Sequence, residues 1–292
     1  LNERRGIVLA GGYGTRLYPI TLGASKHLLP VYDKPMVYYP ISVLMLAGIR
    51  KIAVISTPDD LAQYRRLLGD GNQWGLSFTF IEQAVPEGLS QAYVLAKEFL
   101  EGAPSALVLG DNLFYGHGLP EILRIANKRT SGGTIFACKV SNPEQFGVVS
   151  FDDKGRATAI VEKPPEPKSD YAVTGLYFLD GSAPERAKKI VPSQRGEYEI
   201  TALLESYRAA DKLAVELLGR GFAWLDMGTH GNLLDAGNFV RTLQLRQGTQ
   251  IACLEEIAYN NGWLPESWPS DHGAFLKNST YGQYVKSIMG IV

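Results

Sequence analysis

The stretch Gly6-Ile-Val-Leu-Ala-Gly-Gly-Tyr-Gly-Thr-Arg-Leu17 decides the fold. Ile7, Val8, Leu9 and Ala10 are apolar residues in succession, the pattern of a short buried strand. The run then breaks into a turn with glycines at 11, 12 and 14, followed by Thr15 and Arg16. Glycine lets backbone N–H groups approach a ligand closely and adopt dihedrals closed to other residues. Such N–H groups beside a guanidinium make a cradle for phosphate. The turn is not a Walker loop, because no Lys-Ser or Lys-Thr pair closes it. It is a poor dinucleotide fingerprint too, since Leu17 stands where the third glycine belongs.

Behind the turn, residues 18–34 show no helical or strand period and carry Pro19, Ser25, Lys26, His27, Pro30, Asp33 and Lys34. Loops this long inside a compact domain are functional or disordered. Leu28, Leu29 and Val31 give it apolar anchors, which predicts an ordered loop covering a ligand. Arg16 and Lys26 then bring two positive charges to one strand end, as a polyphosphate requires.

With 292 residues, 45% hydrophobic and 20% charged, the chain reads as a soluble globular protein of one large α/β domain with appendages, or of two domains. A formal net charge of −1 leaves no basic surplus for nucleic acid. No apolar run approaches the roughly 18 residues of a membrane span. The first five residues carry no signal-peptide core, so the cytoplasm is the expected address and no membrane partner is expected. Cys138 and Cys253 sit in apolar runs and read as free, buried thiols.

Strand patterns at 52–56, 76–81, 106–110 and 134–140 alternate with helical patterns at 59–68, 88–100 and 120–129. That rhythm predicts a mainly parallel sheet wrapped by helices. Strands at 148–151, 157–162 and 173–179 follow without long helices between them, so antiparallel pairs should extend the sheet. Helices are expected at 183–190, 199–210 and 231–247, with strands at 213–218 and 223–225. Beyond residue 251 the chain looks like a helical appendage interrupted by Trp263, Trp268 and Pro269, with 281–291 docking last.

Ligands of open α/β sheets sit beyond the carboxyl ends of the strands. Asp111, Glu162 and Asp226 each follow an apolar run and fall at such ends. Asp111 and Asp226 suit Mg²⁺, which takes one or two carboxylates plus phosphate oxygens. Glu162 beside Lys163 suits a sugar phosphate, one meeting hydroxyls and the other the phosphate. Gln83 ends a strand where an amide can read a base edge, and Gly88 opens the next predicted helix. Gly147, Val173 and Arg195 fit the same pocket. Tyr177 is either a core aromatic or a sugar contact, and Arg195 either a solvated loop charge or a phosphate ligand.

Several segments carry a resemblance to a known family. They are Leu9-Ala-Gly-Gly-Tyr-Gly-Thr-Arg-Leu-Tyr-Pro19, Ser25-Lys-His-Leu-Leu-Pro30, Val31-Tyr-Asp-Lys-Pro-Met36 and Val108-Leu-Gly-Asp-Asn-Leu-Phe-Tyr-Gly-His117. Glu162-Lys-Pro164, Tyr171-Ala-Val-Thr-Gly-Leu-Tyr177, Gly196-Glu-Tyr-Glu-Ile-Thr201 and Gly221-Phe-Ala-Trp-Leu-Asp226 join them. From about residue 5 to 262 the chain resembles the sugar-nucleotide pyrophosphorylases, and within them those that join dTTP to glucose 1-phosphate. The resemblance implies a Rossmann-like α/β fold of the nucleotide-diphospho-sugar transferase type, with a mixed, mostly parallel sheet. It implies a single domain over 1–250, nucleotide-binding to about 140 and sugar-phosphate-binding from about 141, then a helical appendage over 251–292.

Carried over by residue, the resemblance implies nucleotide contacts at Gly11, Gly12, Gly14, Thr15, Arg16, Lys26, Gln83 and Gly88. Mg²⁺ would lie on Asp111 and Asp226, and glucose on Asn112, Gly147, Glu162, Val173 and Tyr177. Lys163 and Arg195 would meet the sugar phosphate, and Arg16, Lys26 and Lys163 would carry catalysis. Products would be dTDP-glucose and pyrophosphate, opening dTDP-L-rhamnose or other dTDP-deoxysugar synthesis in a homotetramer. A second, regulatory site between subunits would involve Tyr115, Gly116, Gly219, Arg220 and Cys253. The chain departs from the family at His27 (commonly Gln), Met227 (Thr), Ala202 (Asp) and Asn260 (a basic residue), and residues 265–278 match poorly. Readings that stay open are the same fold using another nucleotide such as UTP or CTP, another sugar 1-phosphate, or a non-catalytic nucleotide-sugar binder.

Overall fold

A computed structural model describes residues 3–264, 268 and 279–290. Its strands are β1 (Arg5–Leu9), β2 (Pro30–Val31), β3 (Lys34–Pro35), β4 (Lys51–Ser56), β5 (Ser77–Glu82), β6 (Ser105–Leu109) and β7 (Asn112–Tyr115). There follow β8 (Gly133–Lys139), β9 (Gly147–Phe151), β10 (Ala157–Glu162), β11 (Tyr171–Leu179), β12 (Leu213–Leu218) and β13 (Ala223–Asp226). β1 lies at the centre of the main sheet, parallel to β4 on one side and β6 on the other. β5 continues the parallel order beyond β4. β11 runs antiparallel to β6 and to β8.

Successive residues of β1 enter opposite cores, as the two-residue period of a strand dictates. Ile7 and Leu9 join Leu107, Tyr93 and Leu203 on one face, while Val8 and Ala10 join Ile41, Leu44 and Val108 on the other. Two apolar layers therefore sandwich the sheet. That explains why β1 reads as an unbroken apolar run rather than an alternating one.

The second half is mixed. β9 and β10 form an antiparallel hairpin beside the first residues of β11. The antiparallel pairs expected of these three strands are present, and β12 adds to β8 in parallel. The connection from β8 to β12 runs through β9, β10, β11 and the helix Ile200–Arg208. Within β11 the register with β8 shifts between Val173 and Tyr177. There the strand passes from the hairpin to the central sheet, and the Gly175 N–H donates to Asn112 Oδ1 at 3.1 Å.

Residues 18–34 are ordered, as expected, but not structureless. Two 3₁₀ turns (Ile20–Leu22, Lys26–Leu28) and the β2–β3 pair occupy the segment, directly after a third turn at Thr15–Leu17. Backbone bonds from Met36 N to Leu29 O and from Val37 N to His27 O close it. The helix expected over 88–100 starts only at Gln91 and divides at Ala96 into Gln91–Leu95 and Lys97–Leu100. Gly88 has a φ of 128° and abuts the Tyr198 backbone, so it lies in the preceding turn and does not open the helix. β7, which pairs antiparallel with β13, has no counterpart among the expected strands.

The longest described helix is His230–Gln247, capped by Thr229, whose hydroxyl accepts from Asn232 N. None of the described helices is long and apolar enough to cross a membrane. Beyond it, Leu254, Ile257 and Ala258 of the helix Leu254–Asn260 belong to the same core as Val8 and Ile41. The last helix, Thr280–Met289, packs Val285 with Cys253 and Trp268. Cys253 is buried and Cys138 only partly so, a correction to the expectation of two buried thiols. Pro269 and most of the poorly matching stretch 265–278 lie outside the described residues.

Candidate functional site

Two cavities meet at the carboxyl end of β1. One, of about 370 Å³, is lined by Gly11, Gly12, Gly14, Thr15, Arg16, Lys26, Gln83 and Gly88, together with Pro86, Leu89 and Gly228. All eight residues expected at the nucleotide are thus on one surface. The other, of about 290 Å³, is lined by Asp111, Asn112, Gly147, Glu162, Lys163, Val173, Tyr177, Arg195 and Asp226, among others. Both cavities share Leu9, Gly11, Arg16, Lys26, Leu89 and Glu197. They are two chambers with a common wall.

In the first chamber, Gln83 is held by its own neighbours. The Glu87 N–H donates to Gln91 Oε1 at 3.1 Å, which marks that atom as an acceptor. Gln83 Nε2 donates to the same oxygen at 2.6 Å, leaving Gln83 Oε1 and one N–H for a ligand. Gln83 Oε1 also lies 2.0 Å from where a Cβ on Gly11 would stand. Only glycine admits the amide that close to the loop.

The second chamber is built on the β7–β13 pair, whose register sets Asp226 opposite Asn112. Asp111, between β6 and β7, and Asp226 therefore stand at adjacent strand ends. Burial raises the Asp226 pKa and the neighbouring Asp111 charge adds to it, while Arg16 and Lys26 oppose. Burial also works against the Asp111 charge, but Lys26, His27 and the Lys26 and Asn112 hydrogen bonds together bring its carboxyl well below the usual range. Lys26 Nζ lies 2.5 Å from Asp111 Oδ2.

Lys163 follows the end of β10 with a φ of 40°, a left-handed conformation rare for a lysine. Its N–H donates to Phe146 O at 3.0 Å, and the kink keeps the residue on the chamber wall. Burial and the Glu199 charge raise the Glu162 pKa, against Lys163 and Arg195. Arg195 is no isolated loop charge: it lies 3.5 Å from Glu162, 3.3 Å from Glu197 and 3.6 Å from Glu199. Tyr177 is both buried and on the chamber wall.

Sequence reasoning assigned no role to Glu197, Glu199, Thr201, Phe146 or Trp224, and all five line the second chamber. Glu197 and Glu199 had a readable signal, since alternate residues of an extended segment share a side. Phe146 and Trp224, with ring centroids 5.0 Å apart, come from distant segments and had none. His27 is also on this wall; burial, then Lys26, depress its imidazole to about 3, so it is neutral. Tyr115 and Gly116 meet Ala223 and Phe222 across the β7–β13 pair, next to the turn holding Gly219 and Arg220. Cys253 is buried, and burial pushes its thiol up to about 12.

The second chamber sets four cationic side chains against five carboxylates: Arg16, Lys26, Lys163 and Arg195 against Asp111, Asp226, Glu162, Glu197 and Glu199. Phosphates entering such a site need added positive charge. The Asp111–Asp226 pair, an all-oxygen donor set, fits a hard divalent cation shared with phosphate oxygens. Among the described residues no group of three or more His, Cys, Asp and Glu side chains gathers as a self-sufficient metal cage.

A glycine-loop chamber for phosphates and a base, walled against a carboxylate-lined chamber at a sheet's carboxyl edge, is the layout of an enzyme that transfers nucleotidyl groups. The chain belongs to the nucleotidyl transferase family, whose model matches residues 5–242. It is 53% identical over 288 residues to a glucose-1-phosphate thymidylyltransferase of Xanthomonas campestris pv. campestris (strain B100), covering 99% of this chain and 98% of the relative. The corresponding enzyme of Neisseria meningitidis serogroup A is 54% identical, with 98% of this chain and 99% of the relative covered. A Bacillus anthracis structure described as a glucose-1-phosphate thymidylyltransferase, solved with a sucrose, superposes with a TM-score of 0.75 at 36% identity, over 82% of this chain and 95% of that one. A UDP-glucose pyrophosphorylase solved with UDP-glucose shares the fold, with a TM-score of 0.72 at 22% identity over 82% and 98% of the two chains.

Proposed function

We propose that the chain joins dTTP to glucose 1-phosphate, giving dTDP-glucose and pyrophosphate. The observation that carries this reading is the common wall, which lets a nucleotide in one chamber meet a sugar phosphate in the other at Arg16 and Lys26. Gln83 would present its oxygen and one N–H to the base, matching the N3–H and a carbonyl of thymine, with Leu9, Pro86 and Leu89 as apolar surface beside it. Glu162, Asn112, Gly147, Val173 and Tyr177 would surround the glucose.

A phosphate monoester loses its second proton near about pH 6, so the nucleophile is already ionised and no general base is needed. Its oxygen attacks the α-phosphorus in line. The new P–O bond forms as the bond to the β-phosphate oxygen breaks, and pyrophosphate leaves with that electron pair. Catalysis then consists of positioning and charge neutralisation. Arg16 and Lys26 hold the triphosphate and the departing pyrophosphate, and Lys163 and Arg195 hold the attacking phosphate against the repulsion of the α-phosphate. Asp111 and Asp226 would hold Mg²⁺, which when bound neutralises charge on the phosphates.

The resemblance also supports a cytoplasmic homotetramer placed at the start of dTDP-L-rhamnose or related deoxysugar synthesis. It supports a single domain over 1–250 with an appendage over 251–292. It further supports a feedback site at Tyr115, Gly116, Gly219, Arg220 and Cys253. Pyrophosphate release measured with dTTP, UTP, CTP, ATP and GTP, each with glucose 1-phosphate, tests the central reading. Release with dTTP well above the others is the expected result. A preference for UTP or CTP, or binding of dTTP without release, rejects it.

A further inference from the structure

Asp111 is held by side chains that are themselves held to different degrees. Trp224 Nε1 donates to Asn112 Oδ1 at 2.6 Å, and the Gly175 N–H donates to the same oxygen at 3.1 Å. An indole and a backbone amide can only donate, so both lone pairs of that oxygen are taken and the Asn112 amide cannot turn over. Asn112 Nδ2 is thereby pinned toward Asp111 Oδ1, at 3.1 Å. The other carboxylate oxygen, Oδ2, receives Lys26 Nζ at 2.5 Å. Asp111 therefore has a partner from the chain itself on each oxygen.

The two partners differ in mobility. Asn112 sits in a buried clamp of three elements, whereas Lys26 ends a flexible four-carbon stem. Lys26 also lines the nucleotide chamber, so phosphates and Asp111 compete for one ammonium. Asp111 and Asp226 alone are a sparse ligand set for a hard divalent cation, which ordinarily takes phosphate oxygens as well.

We propose that Lys26 is a stopper on the cation site, occupying Asp111 in the nucleotide-free protein until an arriving triphosphate draws it away. Divalent cation and nucleotide are then taken up together, and the protein does not hold the cation beforehand. This rests on reading the cleft as a nucleotidyl-transfer site, and it adds an order of assembly to that reading.

The test titrates Mn²⁺ into the full chain without nucleotide and follows the free-ion electron paramagnetic resonance signal. Lys26→Met keeps most of the stem and removes the charge. It should bind Mn²⁺ about tenfold more tightly than the wild type, or more, because a charge at contact distance is removed from a nearly buried carboxylate. Adding Asp111→Asn to Lys26→Met should abolish the gain. Lys163→Ala removes a cation from the same chamber without uncovering Asp111, and should change the affinity by less than about threefold. Equal Mn²⁺ affinity in wild type and Lys26→Met overturns the proposal. So does an equal gain in Lys163→Ala, which would make the effect one of general charge. Pyrophosphate release by the wild type is measured separately. A protein that turns over dTTP yet holds Mn²⁺ tightly beforehand keeps its function and loses the stopper.

Discussion

Asp226 carries a conflict that shows what a single side chain is kept for. Its pKa is raised in the folded chain by burial and by Asp111. A carboxyl raised on folding favours the native state at pH below its unfolded value, and that contribution is lost as pH rises through the folded value. At neutral pH, above its unfolded value, Asp226 therefore costs stability. Asp226→Asn should raise the melting temperature at pH 7 while lowering turnover roughly 10²-fold, as for other lost electrostatic stabilisers. A lower melting temperature, with activity kept, would show that the group is structural. On the proposed reading, Lys163 meets the sugar phosphate rather than the nucleotide. Lys163→Ala should raise the KM for glucose 1-phosphate and leave that for dTTP near its wild-type value, and steady-state kinetics in both substrates decides it. These charged residues were legible in the sequence because each closes an apolar run or lies in a glycine- or proline-marked turn. Trp224 and Phe146 were not, since their contact depends on how β13 and the hairpin come to lie together.

Among the elements, β1 and its glycine turn were readable because strand, break and charge are contiguous. The division of the 88–100 segment was not: Gly88 abuts Tyr198, more than a hundred residues on, and nothing local announces that contact. β7 escaped for the opposite reason, being four residues long and paired with β13, far along the chain. That short pair is steadied by the helix beginning at His230. Asn232 of its first turn donates its side-chain amide to Asp226 O at 2.9 Å, and its N–H goes to the Thr229 hydroxyl at 3.3 Å. Thr229→Ala removes the cap and should cost about 1 kcal/mol in urea unfolding. No measurable loss would mean that Asn232 alone anchors the helix to β13.

At the scale of the molecule, the alternation of strands and helices gave the parallel half of the sheet, and the run of strands without helices gave the hairpin. The parallel pairing of β12 with β8, across three intervening strands in sequence, is a matter of topology that spacing does not encode. The partition between the two chambers has a pharmacological corollary. A thymidine moiety and a hexose joined by a bridge of pyrophosphate length would engage both sides at once, so the second half binds at the high effective concentration set by the first. Such a bridged inhibitor should outbind either fragment by roughly 10²-fold or more in calorimetry. Lengthening the bridge by several atoms should surrender most of that advantage.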